Sequence, residues 1–222
     1  MHLRSWLESL TTHLSTHRRR RTKRAARMAE VLEQRTMLSS VTAIVLNGEL
    51  TVIADGEEDL TIREHPTLAG RVQLVVDGVA DTSIPPTLTT TTLTRIEIVA
   101  GEGDNTIDLS GITSTRFTSL TEVVVDAGEG NDEVIATADF DDEINGGHGD
   151  DTLSGGAGDN VIDGFHGDDI IVGGAGRDSL DGGDGRDVIN GDDGSDTING
   201  GDGFDSLFGN LGNDVINGGH DT

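Results

Sequence analysis

The C-terminal third of this chain is built from a nine-residue repeat, and that period constrains the fold more than any other feature. From Gly146 to Asn217, eight nonapeptides follow one another without insertion or deletion. Glycine stands at positions 1 and 4 of every copy, leucine or isoleucine at position 8 of every copy, and aspartate at position 6 of all but one. This regularity predicts an array of stacked structural units rather than a layered globular domain.

Each fixed position also predicts a local structure. The glycines favour backbone that turns tightly, so we expect positions 1 to 6 to form a turn. Positions 7 to 9 place a large aliphatic residue among mostly β-branched and polar neighbours, which predicts a short strand with position 8 facing inward. One such side chain buries little by itself. Stacked units would align these side chains into two facing ladders along a solenoid.

Position 6 indicates a cation site. Stacking would place successive aspartates about 4.8 Å apart, and like charges at that separation repel. The chain is already acidic, with 41 Asp and Glu residues, 15 Lys and Arg residues and a net charge of −26. Calcium takes roughly 6–8 oxygen ligands from carboxylates and backbone carbonyls, and glycine-rich turns offer both. We therefore expect Ca²⁺ between the turns.

The pattern G-G-x-G-x-D-x-(L/I)-x resembles the nonapeptide of the RTX (repeats-in-toxin, haemolysin-type) family. The resemblance implies an all-β, right-handed parallel β-roll (β-solenoid) with two nonapeptides per coil and Ca²⁺ held between successive coils. Pairing each of the eight repeats with the next but one gives up to about six ions. Three copies depart from the pattern at position 2, where glycine is replaced by Phe165, Asp192 and Asn210.

The resemblance also implies the metal ligands. The expected side-chain ligands are the position-6 residues Asp151, Asp169, Asp178, Asp187, Asp196, Asp205 and Asp214, with Asn160 as a weaker ligand because it carries no charge. The expected backbone ligands are the carbonyl oxygens of Gly146, Gly147, Gly149, Gly155, Gly156, Gly158, Gly164, Gly167, Gly173, Gly174, Gly176, Gly182, Gly183, Gly185, Gly191, Gly194, Gly200, Gly201 and Gly203.

The other aspartates of the array at positions 5 and 3 are expected to face solvent, namely Asp150, Asp159, Asp168, Asp184, Asp193 and Asp202. Phe204 and Phe208 are outward by phase, and we expect them to pack over the end of the roll, with a partner contact as the alternative. His148 and His166 are one coil apart at position 3. Two imidazoles fall short of the usual ligand count of a zinc site, so we expect no zinc there.

The chain before the array divides into three predicted segments. Residues 100–145 contain AGEGDNTID and AGEGNDEVI, which predict degenerate coils that keep the stacking but have lost most metal ligands. Residues 41–99 alternate strand signals with the turn dipeptides Asn47-Gly48, Asp55-Gly56 and Asp77-Gly78, which predicts a β-rich N-terminal cap. The calcium-binding β-roll itself is assigned to residues 146–222.

Residues 1–40 differ from the rest of the chain because they are basic, and we expect them to be disordered or helical. The segment LEQRTMLS at 32–39 resembles the Leu-Glu-Pro-Arg leader element of large exported or surface bacterial repeat proteins, with Gln34 in place of its proline. The resemblance implies an export leader and a secreted or cell-surface location. The arginine run Arg18–Arg21 could instead bind nucleic acid, but it precedes an acidic body that would repel nucleic acid.

Two function classes remain open for this chain. The first is a calcium-binding, calcium-folded extracellular β-roll that acts as a structural or surface module, with calcium and a cell-surface or matrix component as partners. The alternative is the accessory roll of an exported protease or lipase, or of an adhesin, whose active or binding part lies elsewhere. The sequence has no H-E-x-x-H or G-x-S-x-G motif and no cysteine, so we predict no enzyme activity. No apolar stretch is long enough to predict a membrane span.

Overall fold

The repeats fold into two parallel sheets that face each other. The computed structural model describes residues 41–80 and 88–220, and every regular element among them is a β-strand. Successive strands of the array alternate between the two sheets, so one coil of chain uses two nonapeptides. This confirms the parallel β-roll. The predicted leader, including the segment 32–39, lies outside the described residues.

Each sheet contains nine described strands. In spatial order, sheet 1 contains β1 (Thr42–Leu46), β2 (Glu49–Ile53), β6 (Arg95–Val99), β8 (Glu122–Glu129), β10 (Asp142–His148), β12 (Val161–His166), β14 (Ser179–Gly185), β16 (Thr197–Gly203) and β18 (Val215–Asn217). In spatial order, sheet 2 contains β17 (Ser206–Phe208), β15 (Val188–Gly194), β13 (Ile170–Gly176), β11 (Thr152–Ser154), β9 (Glu133–Ile135), β7 (Thr106–Asp108), β3 (Asp59–Glu64), β4 (Val72–Val76) and β5 (Val79–Ala80).

The pairing register stacks each repeat position on itself. Ile144 lies opposite Ile162 and Ile162 lies opposite Leu180, a constant step of 18 residues. The inward side chains therefore form one ladder in each sheet, as predicted. The position-8 residues of the first six repeats are at most 2% exposed: Leu153, Ile162, Ile171, Leu180, Ile189 and Ile198. The ladder opens at the edge strand β18, where Ile216 is 48% exposed.

The strands of the array are longer than the repeat pattern predicts. Strands β13 to β16 each run over seven residues, from position 7 of one nonapeptide to position 4 of the next. The expectation of a turn over positions 1 to 6 is therefore wrong for these strands, where only positions 5 and 6 lie outside. Glycines at positions 2 and 4 allow this because they bend the strand at positive φ, as at Gly174 (103°) and Gly176 (138°). Strands β11, β17 and β18 cover only positions 7 to 9, as the pattern predicts.

Both sheets end in antiparallel pairs before the array. In sheet 1, β1 pairs with β2 through Asn47-Gly48, and in sheet 2, β4 pairs with β5 through Asp77-Gly78. Both dipeptides have positive φ at both residues, as the predicted hairpin turns require. Asp55-Gly56 differs, because it connects β2 to β3 and so carries the chain from sheet 1 to sheet 2. Within the described residues, no helix is long and apolar enough to span a membrane.

Candidate metal centre

The position-6 side chains form two files, one along each edge of the roll. The 18-residue register stacks Asp151, Asp169, Asp187 and Asp205 on one edge, and Asn160, Asp178, Asp196 and Asp214 on the other. We call these the odd edge and the even edge, because they contain the odd-numbered and even-numbered repeats. All except the last residue of each file are buried, with exposures of 0–3%.

One oxygen of each carboxylate links neighbouring coils. Oδ1 of Asp169 accepts a hydrogen bond from the backbone N–H of Asp151 at 2.7 Å, and Oδ1 of Asp187 accepts one from the N–H of Asp169 at 2.9 Å. The even edge repeats the arrangement, with Oδ1 of Asp178 accepting from the N–H of Asn160 at 2.8 Å. These bonds fix the orientation of each carboxylate, since backbone N–H groups at the turn need an acceptor.

The other oxygen of each carboxylate has no hydrogen-bond partner. Buried, unpartnered Oδ2 atoms belong to Asp151, Asp169, Asp178, Asp187, Asp196 and Asp205. Burying a charged oxygen without a partner is costly, and native proteins avoid it unless a metal ion or another charge compensates. One such atom in almost every nonapeptide is the feature that a bound cation would explain.

Glycine at position 1 leaves open the space beside each Oδ2. A Cβ atom on Gly164 would overlap Oδ2 of Asp169 and would lie 2.6 Å from the carbonyl oxygen of Gly182, one coil further along. A Cβ atom on Gly182 would likewise overlap Oδ2 of Asp187 and would lie 2.5 Å from the carbonyl oxygen of Gly200. A carboxylate oxygen and a carbonyl oxygen therefore converge on one space. This donor set is the one that Ca²⁺ prefers.

Burial raises the pKa of the position-6 carboxyls. The pKa of Asp151 is raised to about 7, and those of Asp169 and Asp187 are raised to about 6. The pKa values of Asp178 and Asp196 are raised as well. In every case burial in the turn is the largest cause, and the inter-coil hydrogen bond to Oδ1 offsets only part of it. A cation beside Oδ2 would favour the ionised form and lower these pKa values.

The candidate ligands are carboxylates and carbonyls in combination, not clusters of acidic side chains. Within the described residues, no group of three or more His, Asp or Glu side chains could hold a metal ion by itself. Position-1 carbonyls approach the sites from the following coil, and at the C-terminal end they include those of Gly209 and Gly218, which the sequence did not indicate. The position-2 carbonyls of Gly156 and Gly201 instead accept backbone hydrogen bonds from the next coil.

Comparison with known families agrees with this geometry. The family model for RTX calcium-binding nonapeptide repeats, four copies, matches residues 126–162, 163–198 and 190–221. Residues 126–221 are an RTX repeat array. Such repeats indicate a calcium-binding β-roll. No curated protein and no solved structure matches the chain significantly.

The RTX array contains two buried carboxylates that the sequence analysis did not include among the ligands, Asp132 and Asp142. The N–H of Asp132 donates to Oδ1 of Asp151 at 2.8 Å, its own Oδ2 is unpartnered, and burial raises its pKa to about 6. It extends the odd edge by one coil. The sequence signal was present, because Asp132 stands at position 6 of AGEGNDEVI, but that copy has Ala127 at position 1.

The position-5 aspartates of the RTX array are exposed, as predicted, but they also connect coils. Oδ1 of Asp150 accepts a hydrogen bond from the N–H of Asp168 at 2.9 Å, and Oδ1 of Asp159 accepts one from the N–H of Arg177 at 2.9 Å. The Arg177 guanidinium also pairs with Asp159, and the backbone hydrogen bond together with this side-chain contact lowers the pKa of the Asp159 carboxyl. Each edge therefore has an outer file of hydrogen-bonded side chains beside the buried one.

The histidines of the RTX array stack rather than converge. The rings of His148 and His166 lie 4.7 Å apart at 13° to each other, and Nδ1 of His166 lies 3.0 Å from Oδ2 of Asp184. The two rings therefore stack face to face, and the second one pairs with a carboxylate. Phe204 and Phe208 are 63% and 53% exposed, as their outward positions predict.

Proposed function

We propose that the RTX array binds Ca²⁺ between successive coils through Oδ2 of the position-6 aspartates and through glycine carbonyls, and that this binding drives its folding. The observation that carries the proposal is the set of buried Oδ2 atoms without a partner, each beside a position-1 glycine and, in every turn except that of Asp178, beside a carbonyl oxygen of the next coil. The same ligands on each edge would serve consecutive ions, so binding should be cooperative.

Folding of the array without ions is opposed by two effects. Each of the first six nonapeptides contributes one buried leucine or isoleucine, which gives a thin apolar core against the conformational entropy of nine residues. Five of these six turns also bury a carboxylate beside others of the same charge. Calcium would remove the second effect. The array should therefore be unfolded where calcium is scarce and folded where it is abundant.

This dependence suits an exported protein. Sites of extracellular calcium modules bind with Kd values on the order of 10⁻⁴–10⁻³ M, so they fill outside the cell and stay empty in the cytoplasm. We place the protein outside a bacterial cell or on its surface, as a structural or surface module that contacts a cell-surface or matrix component. In this proposal, residues 1–40 form the export leader and residues 41–99 cap the roll.

We assign the roll no catalytic role. The buried position-6 carboxylates lie beside glycine carbonyls, and their Oδ1 atoms accept hydrogen bonds from backbone N–H groups. Such groups are suited to hold a cation, whereas general acid–base catalysis needs a carboxyl group within reach of a bound substrate.

The proposal is tested by comparing Asp187→Ala with Asp184→Ala. Both residues belong to one nonapeptide, but Asp187 is 1% exposed at position 6, whereas Asp184 is exposed at position 3 and pairs with His166. We expect wild type to gain β-structure when calcium is added after chelation. Asp187→Ala should bind fewer ions and need a higher calcium concentration to fold.

Circular dichroism during a calcium titration, with metal analysis of the purified proteins, gives both readouts. Asp184→Ala should titrate like wild type, because an exposed ion pair contributes about 1 kcal/mol or less. Two results would overturn the proposal: a wild-type spectrum and metal content indifferent to calcium and EDTA, or equal effects of the two substitutions.

A further inference from the structure

The even edge contains one position-6 residue that is not an aspartate, and its contacts differ from all the others. Asn160 is 1% exposed. Its Oδ1 accepts a hydrogen bond from the N–H of Asp142 at 3.0 Å, in the way that the aspartates bind the preceding coil. Its Nδ2 donates to the carbonyl oxygens of Gly158, at 3.2 Å, and Gly173, at 3.3 Å.

The orientation of this amide follows from its neighbours. The N–H of Asp142 can only donate, so the atom facing it must be Oδ1. The two atoms facing the other end are carbonyl oxygens, which can only accept, so that end must be Nδ2. Nδ2 therefore stands where the aspartates present Oδ2.

The two carbonyls that receive these hydrogen bonds are among the backbone ligands that the RTX resemblance implies. Gly158 is position 4 of the same repeat, and Gly173 is position 1 of the repeat one coil further on. In the Asp169 turn, the equivalent position-1 carbonyl of Gly182 lies beside Oδ2 with no donor between them. In the Asn160 turn, the donor is part of the side chain.

We infer that Asn160 replaces a calcium ion: its amide nitrogen satisfies the carbonyls that an ion would bind, so no Ca²⁺ occupies the site between the Asn160 turn and the Asp178 turn. The inference rests on the proposed function, because it takes the Asp turns to be calcium sites. It makes Asn160 an internal substitute for an ion, rather than a weakened ligand.

The preceding turn on the even edge also has internal donors. The Asp142 turn has Thr137 at position 1, where the regular repeats have glycine. Oδ2 of Asp142 accepts hydrogen bonds from the Thr137 hydroxyl at 2.7 Å and from the Thr137 N–H at 3.0 Å. This oxygen therefore has two donors, whereas Oδ2 in the Asp178 turn has none.

The two edges consequently differ in where unpartnered Oδ2 atoms begin. The odd edge presents them from Asp132 onward, while the even edge presents them only from Asp178 onward. The Asn160 amide is satisfied at both ends, whereas the Asp142 carboxyl keeps a buried Oδ1 without a partner.

Asn160→Asp tests this inference by recreating the missing site. In calcium, the variant should bind one more ion per chain than wild type, measured by metal analysis or by titration calorimetry. It should also need a higher calcium concentration than wild type to fold, because it loses two internal hydrogen bonds and adds a buried charge to the file. Asn160→Ala is the control: it should also need more calcium to fold, but it should gain no ion.

Asp178→Asn is the reciprocal variant, because it brings an amide to the next site on the same edge. It should bind one ion fewer than wild type. It should fold at a lower calcium concentration than Asp178→Ala, since the new amide can donate to the carbonyls of its own site.

The outcomes separate the two proposals. If wild type binds no calcium, the proposed function fails. If wild type binds calcium but Asn160→Asp gains no ion, or fails to fold in calcium, the inference alone is overturned. It is also overturned if Asp178→Asn keeps the wild-type number of ions.

Discussion

The coils that precede the RTX array and the array itself belong to the same two sheets, but different interactions stabilise them. Between residues 88 and 125, the core contains large side chains that are fully buried, among them Leu93, Leu109, Ile112 and Phe117, all 0% exposed. In the array, each nonapeptide adds one aliphatic side chain, and six of the eight nonapeptides between Gly146 and Asn217 add one buried carboxylate oxygen without a partner. The first part can be stable through its apolar core, whereas the second requires something to neutralise its turns.

The buried polar groups show the same difference. Asn105 occupies the odd edge one coil before Asp132, and its N–H donates to Oδ1 of Asp132 at 2.7 Å. Its Oδ1 accepts from the N–H of Glu58 at 3.0 Å, and its Nδ2 donates to the carbonyl of Gly103 at 2.8 Å. The amide is therefore satisfied by protein atoms alone. One solenoid geometry can thus be held by neutral amides over an apolar core, or by carboxylates that need ions.

The largest expected effect that tests this comparison is the response of the two parts to calcium removal. In EDTA, backbone amides of the array, for example in β14 and β16, should exchange hydrogen at rates near those of an unfolded chain, because the carboxylate files repel. Amides of β2 and β6 should stay protected, since their strands enclose Leu50 and Ile96, both 0% exposed. Hydrogen–deuterium exchange followed by peptide mass spectrometry measures both regions in one sample.

Restored calcium is the control for that experiment, and it should return protection to β14 and β16 without changing β2 and β6. Equal loss of protection in the two regions would show that the roll unfolds as one cooperative unit. Equal retention would show that the array needs no ions.

A smaller effect is expected from pH, and only in the array. The folded-state pKa of Asp151 is about 7 and those of Asp132, Asp169 and Asp187 are about 6, all above the ordinary value of about 4 for aspartate. The folded array therefore binds more protons than the unfolded chain between about pH 4 and 7, so its stability in chelator should fall as pH rises through this range.

Circular dichroism in EDTA at about pH 5 and 7.5 measures this dependence, with more β-structure in the array expected at the lower pH. In calcium the order should reverse, because ions compete with protons for the same carboxylates and bind better once these are ionised. More β-structure in EDTA at the higher pH would contradict the buried-carboxylate interpretation.

The sequence was sufficient to predict the stacking and the direction of most array side chains. An uninterrupted period of nine makes positions 6 and 8 equivalent in every repeat, so one argument serves for all copies. It was not sufficient to predict the paired roles of Oδ1 and Oδ2, because these depend on which backbone N–H lies one coil away. It also missed Asp132 and Asp142, since Ala127 and Thr137 interrupt the glycine pattern that marks a ligand turn.

The smallest expected effect concerns backbone strain within the array. Position 2 has positive φ where it is not glycine: 76° at Phe165, 67° at Asp192 and 62° at Asn210. A bulky aromatic residue tolerates this conformation poorly, whereas asparagine adopts it more readily. Phe165→Gly should therefore stabilise the calcium-bound array by up to about 1 kcal/mol, and Asn210→Gly should change it by less.

Melting temperatures in saturating calcium distinguish strain from lost contacts at this position. The Phe165 ring packs edge-on against His166 at a centroid distance of 4.4 Å, so replacing it also removes an aromatic contact. If that contact outweighs the strain, Phe165→Gly will lower the melting temperature, and the strain argument fails. If strain dominates, Phe165→Gly should raise the melting temperature without changing the number of bound calcium ions, because Phe165 precedes the Asp169 site and contributes no side-chain ligand. Backbone conformation as well as charge would then limit the stability of the array. It would not limit the stability of the early coils, because their positive-φ positions are occupied by glycine, asparagine or aspartate.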